Sequence, residues 1–205
     1  MEKIITYIDG FNLYHGIKSK YGNKFKWLDI EELSNQFLQP QQSLEKVYYF
    51  TAMISKNPPK EYRQKTYISA INSLSKVKIV LGKYLVNPHR CPNCGSIEQI
   101  PSEKMTDVNI ANQLLVDAFL DKYDVAILVS ADSDLTGPVK QVTNLFPRKK
   151  VVVAFPPDRV SFDLKQVASA FVYISRRKLE VSQFPLMVIS KDGTTIKKPR
   201  KWNGK

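Results

Sequence analysis

Val125-Ala126-Ile127-Leu128-Val129-Ser130-Ala131-Asp132-Ser133-Asp134-Leu135 sets an unbroken apolar run directly before a hydroxyl residue and two acids. A run this short and this apolar predicts a strand covered on both faces, the situation of a parallel sheet. Helical patterns stand on either side of it, Met105–Leu120 before and Leu135–Leu145 after. The alternation continues downstream through strand Lys150–Ala154, helix Ser161–Gln166 and strand Ala170–Ile174, with Leu179–Phe184 as a last helical stretch. Upstream lie strand Lys3–Asp9, helices Phe11–Lys20 and Ile30–Leu38, and strand Glu45–Ile54. Pro58-Pro59 then opens a helix reaching Leu74, because proline suits a first helical turn, and Val77–Val86 is a further strand. Asn87–Lys104 carries Pro88, Pro92, Gly95 and Pro101 and reads as a loop insertion. Strands alternating with helices predict a three-layer α/β/α sandwich with a mainly parallel central sheet. The domain is expected over residues 1–175, with 176–205 as a C-terminal extension.

The chain has 205 residues, enough for one domain with a sizeable core, and 43% apolar and 24% charged residues exclude wholesale disorder. No apolar run approaches the length of a membrane span, and the N-terminus lacks a secretory h-region. Two cysteines exclude a disulfide scaffold, so the expectation is a soluble, reduced, cytoplasmic protein without a membrane partner. The net charge is +12. Residues 191–205 hold six bases against one acid, which predicts a disordered basic tail. Such a surplus favours a polyanion as partner: RNA first, with DNA as a second candidate. A homodimer is a candidate assembly.

In a sheet of this kind ligands gather outside the carboxyl ends of the strands. Asp9 ends the first strand, and Asp132 and Asp134 follow Val125–Ser130. Asp107 heads the apolar stripe Ile110, Ala111, Leu114, Leu115 and Ala118, at the start of a helix that begins on the same edge. Each acid alone has an ordinary role as a turn, cap or dipole residue. Together on one edge they repel, raising one another's pKa values until a cation compensates. Mg²⁺ or Mn²⁺ takes such oxygen donors and can activate water against a phosphoryl centre. An acidic pocket in a basic chain thus fits metal-dependent cleavage of a nucleic acid.

Tyr7-Ile8-Asp9-Gly10-Phe11-Asn12-Leu13, Lys104-Met105-Thr106-Asp107-Val108-Asn109-Ile110-Ala111 and Ile127-Leu128-Val129-Ser130-Ala131-Asp132-Ser133-Asp134-Leu135 resemble, in that order, the motifs of the NYN-domain family, part of the PIN-like nuclease superfamily. The resemblance spans about residues 3 to 175. It implies a PIN-like sandwich and a Mg²⁺- or Mn²⁺-dependent ribonuclease with Asp9, Asp107, Asp132 and Asp134 as metal-binding acids. Asn12 would position water or substrate, and Ser130 and Ser133 would hydrogen-bond the carboxylates or a phosphate, unless they are turn hydroxyls. Gln113 departs from the pattern: many relatives carry Asp six positions after the residue matching Asp107. The rival function is a non-catalytic RNA-binding or adaptor domain that keeps the acidic pocket.

Several signals compete. His89, Cys91 and Cys94 form a knuckle short of the four ligands zinc wants, unless Glu98, Glu103 or a second chain completes it. Asp132-Ser133-Asp134-Leu135-Thr136 also looks like a haloacid-dehalogenase-type phosphatase motif, a reading that leaves Asp9-Gly10-Phe11-Asn12 unexplained. His15 reads as a packing or surface histidine more readily than as a phosphate contact. Lys104 and Lys18 are candidate phosphate contacts. Tyr14, Tyr21, Phe25 and Trp27 alternate with Lys18, Lys20, Lys24 and Lys26, and Lys18–Lys26 reads as a substrate-guiding strip, with Phe25 and Trp27 assigned to the core.

Overall fold

A computed structural model describes residues 1–203 except Cys91 and Asn93, with backbone alone at Asn87 and at 98–101. In chain order the elements are β1 (Glu2–Asp9), α1 (Gly10–Tyr21), α2 (Ile30–Asn35), β2 (Gln42–Thr51), α3 (Pro58–Asn72), β3 (Val77–Leu81), β4 (Lys83–Arg90), β5 (Ile97–Lys104), α4 (Thr106–Phe119) and β6 (Val125–Val129). There follow α5 (Thr136–Leu145), β7 (Lys150–Phe155), α6 (Phe162–Val167), β8 (Ala170–Tyr173), α7 (Arg176–Val181), β9 (Met187–Ile189) and β10 (Thr195–Lys197). Short 3₁₀ turns occupy Ser133–Leu135 and Arg200–Trp202.

Six strands make one parallel sheet in the order β3-β2-β1-β6-β7-β8. Residue alternation divides its side chains between two cores. On one face Ile4 and Ile8 of β1 pack with Leu13 and Ile17 of α1, Leu33 of α2, Ile71 of α3 and Leu179 of α7. On the other, Ile5 and Tyr7 meet Ile110 and Leu114 of α4, Val139 and Val142 of α5, and Leu164 of α6. Every residue of β6 is buried, because both of its faces are roofed by helices. The expected α/β/α sandwich is therefore the observed fold.

β1 and β6 lie at the centre, where the chain order reverses from β3-β2-β1 on one side to β6-β7-β8 on the other. Their carboxyl ends form the crevice that open parallel sheets use for ligands.

Two expectations are corrected. Of residues 87–104, read as a loop, 87–90 and 97–104 belong to an antiparallel ribbon in which β4 pairs with β5 from Lys83↔Lys104 to Arg90↔Ile97. Its prolines are tolerated because a two-stranded ribbon has an outer edge where a missing N–H breaks no ladder bond. The tail read as disordered is also folded as far as its described residues run, to Asn203: β9 and β10 pair, Val188 and Ile196 join the core, and Trp202 is 6% exposed. The Trp202 ring lies 6.3 Å from Trp27 and 5.9 Å from Tyr67 between centroids. A few apolar anchors hold a segment whose average composition is highly charged.

Candidate metal centre and adjoining cavity

Asp9 stands where β1 becomes α1. Its Oδ1 accepts the Asn12 N–H at 2.9 Å as an N-cap, and its Oδ2 accepts the Ser130 hydroxyl at 2.9 Å. Ser130, fully buried, also accepts the Asp132 N–H at 3.1 Å. One hydroxyl thus ties the ends of the two central strands together. The Asn12 side chain crosses the same gap, its Oδ1 accepting from Ala131 N at 3.2 Å. Gly10 is required beside Asp9, because a Cβ there would sit 2.7 Å from Phe50 O and from the Tyr49 ring.

The third acid arrives from α4. Met105 adopts a left-handed backbone, φ 77°, immediately before that helix, a strained state for a side-chain-bearing residue. Gly82 lets the turn approach closely: a Cβ there would meet Lys104 O at 2.7 Å and Thr106 Oγ1 at 3.0 Å. Asp9, Asp107 and Asp132 each offer an oxygen within 4.8 Å of the others, a grouping that could hold a metal ion. Asp134 is exposed, with its N–H on Asp132 Oδ1 at 3.0 Å. It sits outside that trio but adds to the repulsion on Asp107.

The electrostatics are those of an uncompensated acid cluster. Burial raises the Asp9 pKa to about 6, against the lowering by Asn12 and Ser130 and with Asp107 and Asp132 adding to the rise. Burial, then Asp132 and Asp134, push Asp107 up as well. Glu103, the second-last residue of β5, is carried to about 8 by burial, Asp9 and Asp107. Its Oε1 is buried without a hydrogen-bond partner among the described residues. These hard oxygen donors, mutually repelling and with one carboxyl oxygen unengaged, fit a hard divalent cation. Sequence reading considered Glu103 only for zinc. Its signal was its place four residues before Asp107, which matters only once 97–104 is a strand.

The remaining candidates are spread around this centre. Ser133 and Lys104 are exposed. Gln113 is engaged within the core face that α4 covers, donating to Asp117 Oδ1 at 3.0 Å and Tyr48 OH at 3.3 Å. Asp117, which also accepts from Tyr7 OH at 2.8 Å, belongs to that buried network. His89 and Cys94 are exposed, Cys94 Sγ lies 3.1 Å from Ser96 Oγ, and Cys91 falls outside the described residues.

Beside Asp9 a cavity of about 460 Å³ opens between α1, α3 and the folded tail. Glu103, with Gly10 near it, forms its acidic side; Lys18, Lys26, Lys60 and Arg63 supply its cations. Phe25 and Trp27 are core residues, as expected, while Lys26 between them lines the cavity. Desolvation lowers the His15 pKa, followed by Arg159, Lys18, Lys26 and Lys60.

The NYN-domain family profile matches residues 3–180. The chain is 25% identical, over a 237-residue alignment, to 6-hydroxy-3-succinoylpyridine 3-monooxygenase from Pseudomonas putida, covering 97% of this chain and 74% of that protein. A crystal structure of a protein of unknown function from Vibrio parahaemolyticus superposes with a TM-score of 0.57 at 20% identity, covering 85% of this chain and 94% of that one. The latter likeness concerns the fold.

Proposed function

The chain belongs to the NYN-domain family, and from that premise we propose that it is a Mg²⁺- or Mn²⁺-dependent ribonuclease hydrolysing phosphodiester bonds. The observation that carries the reading is the convergence of Asp9, Asp107 and Asp132 within 4.8 Å at the carboxyl edge of the sheet. These three would hold the ion, with Asp134 at the rim. A bound divalent ion would supply Lewis acidity toward the phosphoryl oxygens and a lowered pKa for water. Ser130 holds the Asp9 carboxylate and the Asp132 backbone in register, so their oxygens face one point. Asn12 acts through geometry, fixing the 130–132 turn against α1. Glu103, at Oε1, is the titratable group available to take up or release a proton beside that point. Lys18 and Lys104, both exposed, are suited to backbone phosphates, and the +12 charge favours RNA as the collected polyanion.

The test incubates purified chain with structured and unstructured RNA under Mn²⁺, Mg²⁺ or chelator, beside Asp132→Asn. Metal-dependent products absent from the variant are expected, with RNA binding retained, because the substitution removes one repulsive carboxylate. RNA bound without any product would move the assignment to a binding or adaptor domain.

A second reading is favoured by the cavity together with the Pseudomonas putida relative's name. Under it the chain would insert one oxygen atom of O₂ into a small aromatic acid, the other leaving as water at the expense of a reductant. Oxygen uptake dependent on 6-hydroxy-3-succinoylpyridine and an added electron donor, with RNA left intact, would favour it over hydrolysis.

A further inference from the structure

Lys26 is 7% exposed, yet among the described residues no carboxylate pairs with it. Its ammonium donates to Asn23 Oδ1 at 2.9 Å, reaches Tyr14 OH at 3.5 Å and lies 4.7 Å from the centre of the Tyr14 ring. Burial carries its pKa down to about 8, and the positive charges of Lys18, Arg63 and Lys201 push the same way. A protein rarely keeps a buried cation among further cations unless an anion completes the set. The walls between this corner and Glu103 are aromatic: Tyr14, Tyr49, Tyr67 and Trp202. Tyr67 is anchored by its hydroxyl on Leu28 O at 2.8 Å and stands edge-on to both Tyr49 and Trp202, so the rings are held rather than loose. The volume, about 460 Å³, falls in the range of small-molecule pockets and excludes a peptide helix.

We propose that this cavity is a binding site for a small aromatic anion, a planar ring bearing a phosphate or carboxylate. The anionic group sits on Lys26, flanked by Lys18 and Arg63, and the ring lies among Tyr14, Tyr49, Tyr67 and Trp202. Its far end reaches Gly10 and Glu103, beside the carboxylates, so the ligand is presented to the metal centre. Occupancy of the cavity does not depend on RNA hydrolysis. Two sources share this chemistry: a nucleotide unit, free or unpaired within RNA, and a free aryl carboxylate.

The experiment uses the full chain in chelator, so the acid cluster holds no metal, and titrates AMP, UMP and nicotinate by calorimetry. Inorganic phosphate and nicotinamide serve as the anion without a ring and the ring without an anion. At least one ringed anion is expected to bind about tenfold or more tightly than either control. Lys26→Met is expected to weaken it about tenfold or more while raising the melting temperature, because a buried, unneutralised charge is removed. A lysine present for structure alone would give the opposite thermal shift. Arg63→Gln on α3 repeats the binding test at a half-buried position, should Lys26→Met fail to fold. Competition by AMP or UMP against a single-stranded oligonucleotide assigns the nucleotide source; binding of nicotinate alone assigns the free acid. Phosphate binding as tightly as every ringed anion, or no binding by any, overturns the proposal. Either result leaves the cleavage comparison with Asp132→Asn untouched, so the two readings fail separately.

Discussion

Asp9 uses one oxygen to cap a helix and the other to hold Ser130, and both bonds favour its ionised form. Burial and two neighbouring acids outweigh them, leaving its pKa at about 6 instead of 3.8. The folded chain therefore binds this proton more tightly than the unfolded one. The stabilisation is complete below about 3.8 and is lost as pH rises through 6, which for a group 4% exposed amounts to about 3 kcal/mol. Glu103 works in the same direction between 4.5 and about 8, by less than that displacement implies because it is only half-buried. Lys26 belongs to a higher window: its depressed pKa makes the fold gain stability as pH rises from about 8 toward 10.5. A divalent ion compensates the carboxylates but competes with their protons. Melting curves with saturating Mn²⁺ or with chelator should consequently show a larger metal-induced rise at pH 8 than at pH 5. An equal rise at both would mean the ion binds somewhere other than these acids. These acids were legible in the sequence because Asp9, Asp107 and Asp132 each sit at a strand end or helix start that periodicity alone locates. Asn12 was assigned to water or substrate, and its actual bond to Ala131 N was not legible, since nothing in a sequence tells which turn a side-chain amide will span.

At the scale of elements, the ribbon β4–β5 is where sequence reading fell short. Pro88 and Pro101 are breakers by local chemistry, and the pairing that overrides them is a contact between two segments, visible only in three dimensions; Pro92 and Gly95 lie between the paired strands. With the ribbon unread, Glu103 and Tyr84 were lost from the centre and its cavity. The ribbon delivers the chain to α4 through the left-handed Met105, and Gly82 is the point against which that turn rests. Gly82→Ala should force Lys104–Thr106 outward, since the new methyl would lie 2.7 Å from a backbone oxygen that has no rotamer to yield. Asp107 moves with the turn. A misplacement near 1 Å is expected to lower metal-dependent kcat/KM by about 100-fold. The change in melting temperature should be modest, since the ribbon residues nearest the substitution are mostly surface-exposed. Steady-state kinetics and a thermal melt on the same preparation check both halves. Unchanged turnover would mean that the turn does not position Asp107.

For the whole molecule, the order β3-β2-β1-β6-β7-β8 puts the acids at a crevice that strand–helix alternation already implied, because a parallel sheet covered on both faces has few ways to be connected. Charge was the poorer guide. Residues 191–205 average to a solvated basic tail, and averaging hides what a single large ring can do when a docking place exists. Trp202 finds that place between Trp27 and Tyr67, on the face where Trp27 Nε1 also donates to Pro185 O at 2.7 Å. The tail thus closes one wall of the cavity and brings Lys201 close enough to act on Lys26. Trp202→Ala removes most of a buried indole and should cost about 3–5 kcal/mol, a fall of about 10 °C in melting temperature for a domain of this size. A disordered tail would give no fall at all, so thermal denaturation discriminates directly between an anchored and a free C-terminus. The same variant should leave Asp9, Asp107 and Asp132 in place, since none of them contacts the tail through an observed hydrogen bond. Below its lowered melting temperature it should therefore keep metal-dependent thermal stabilisation while losing affinity for ringed anions, separating the wall of the cavity from the acids at its edge.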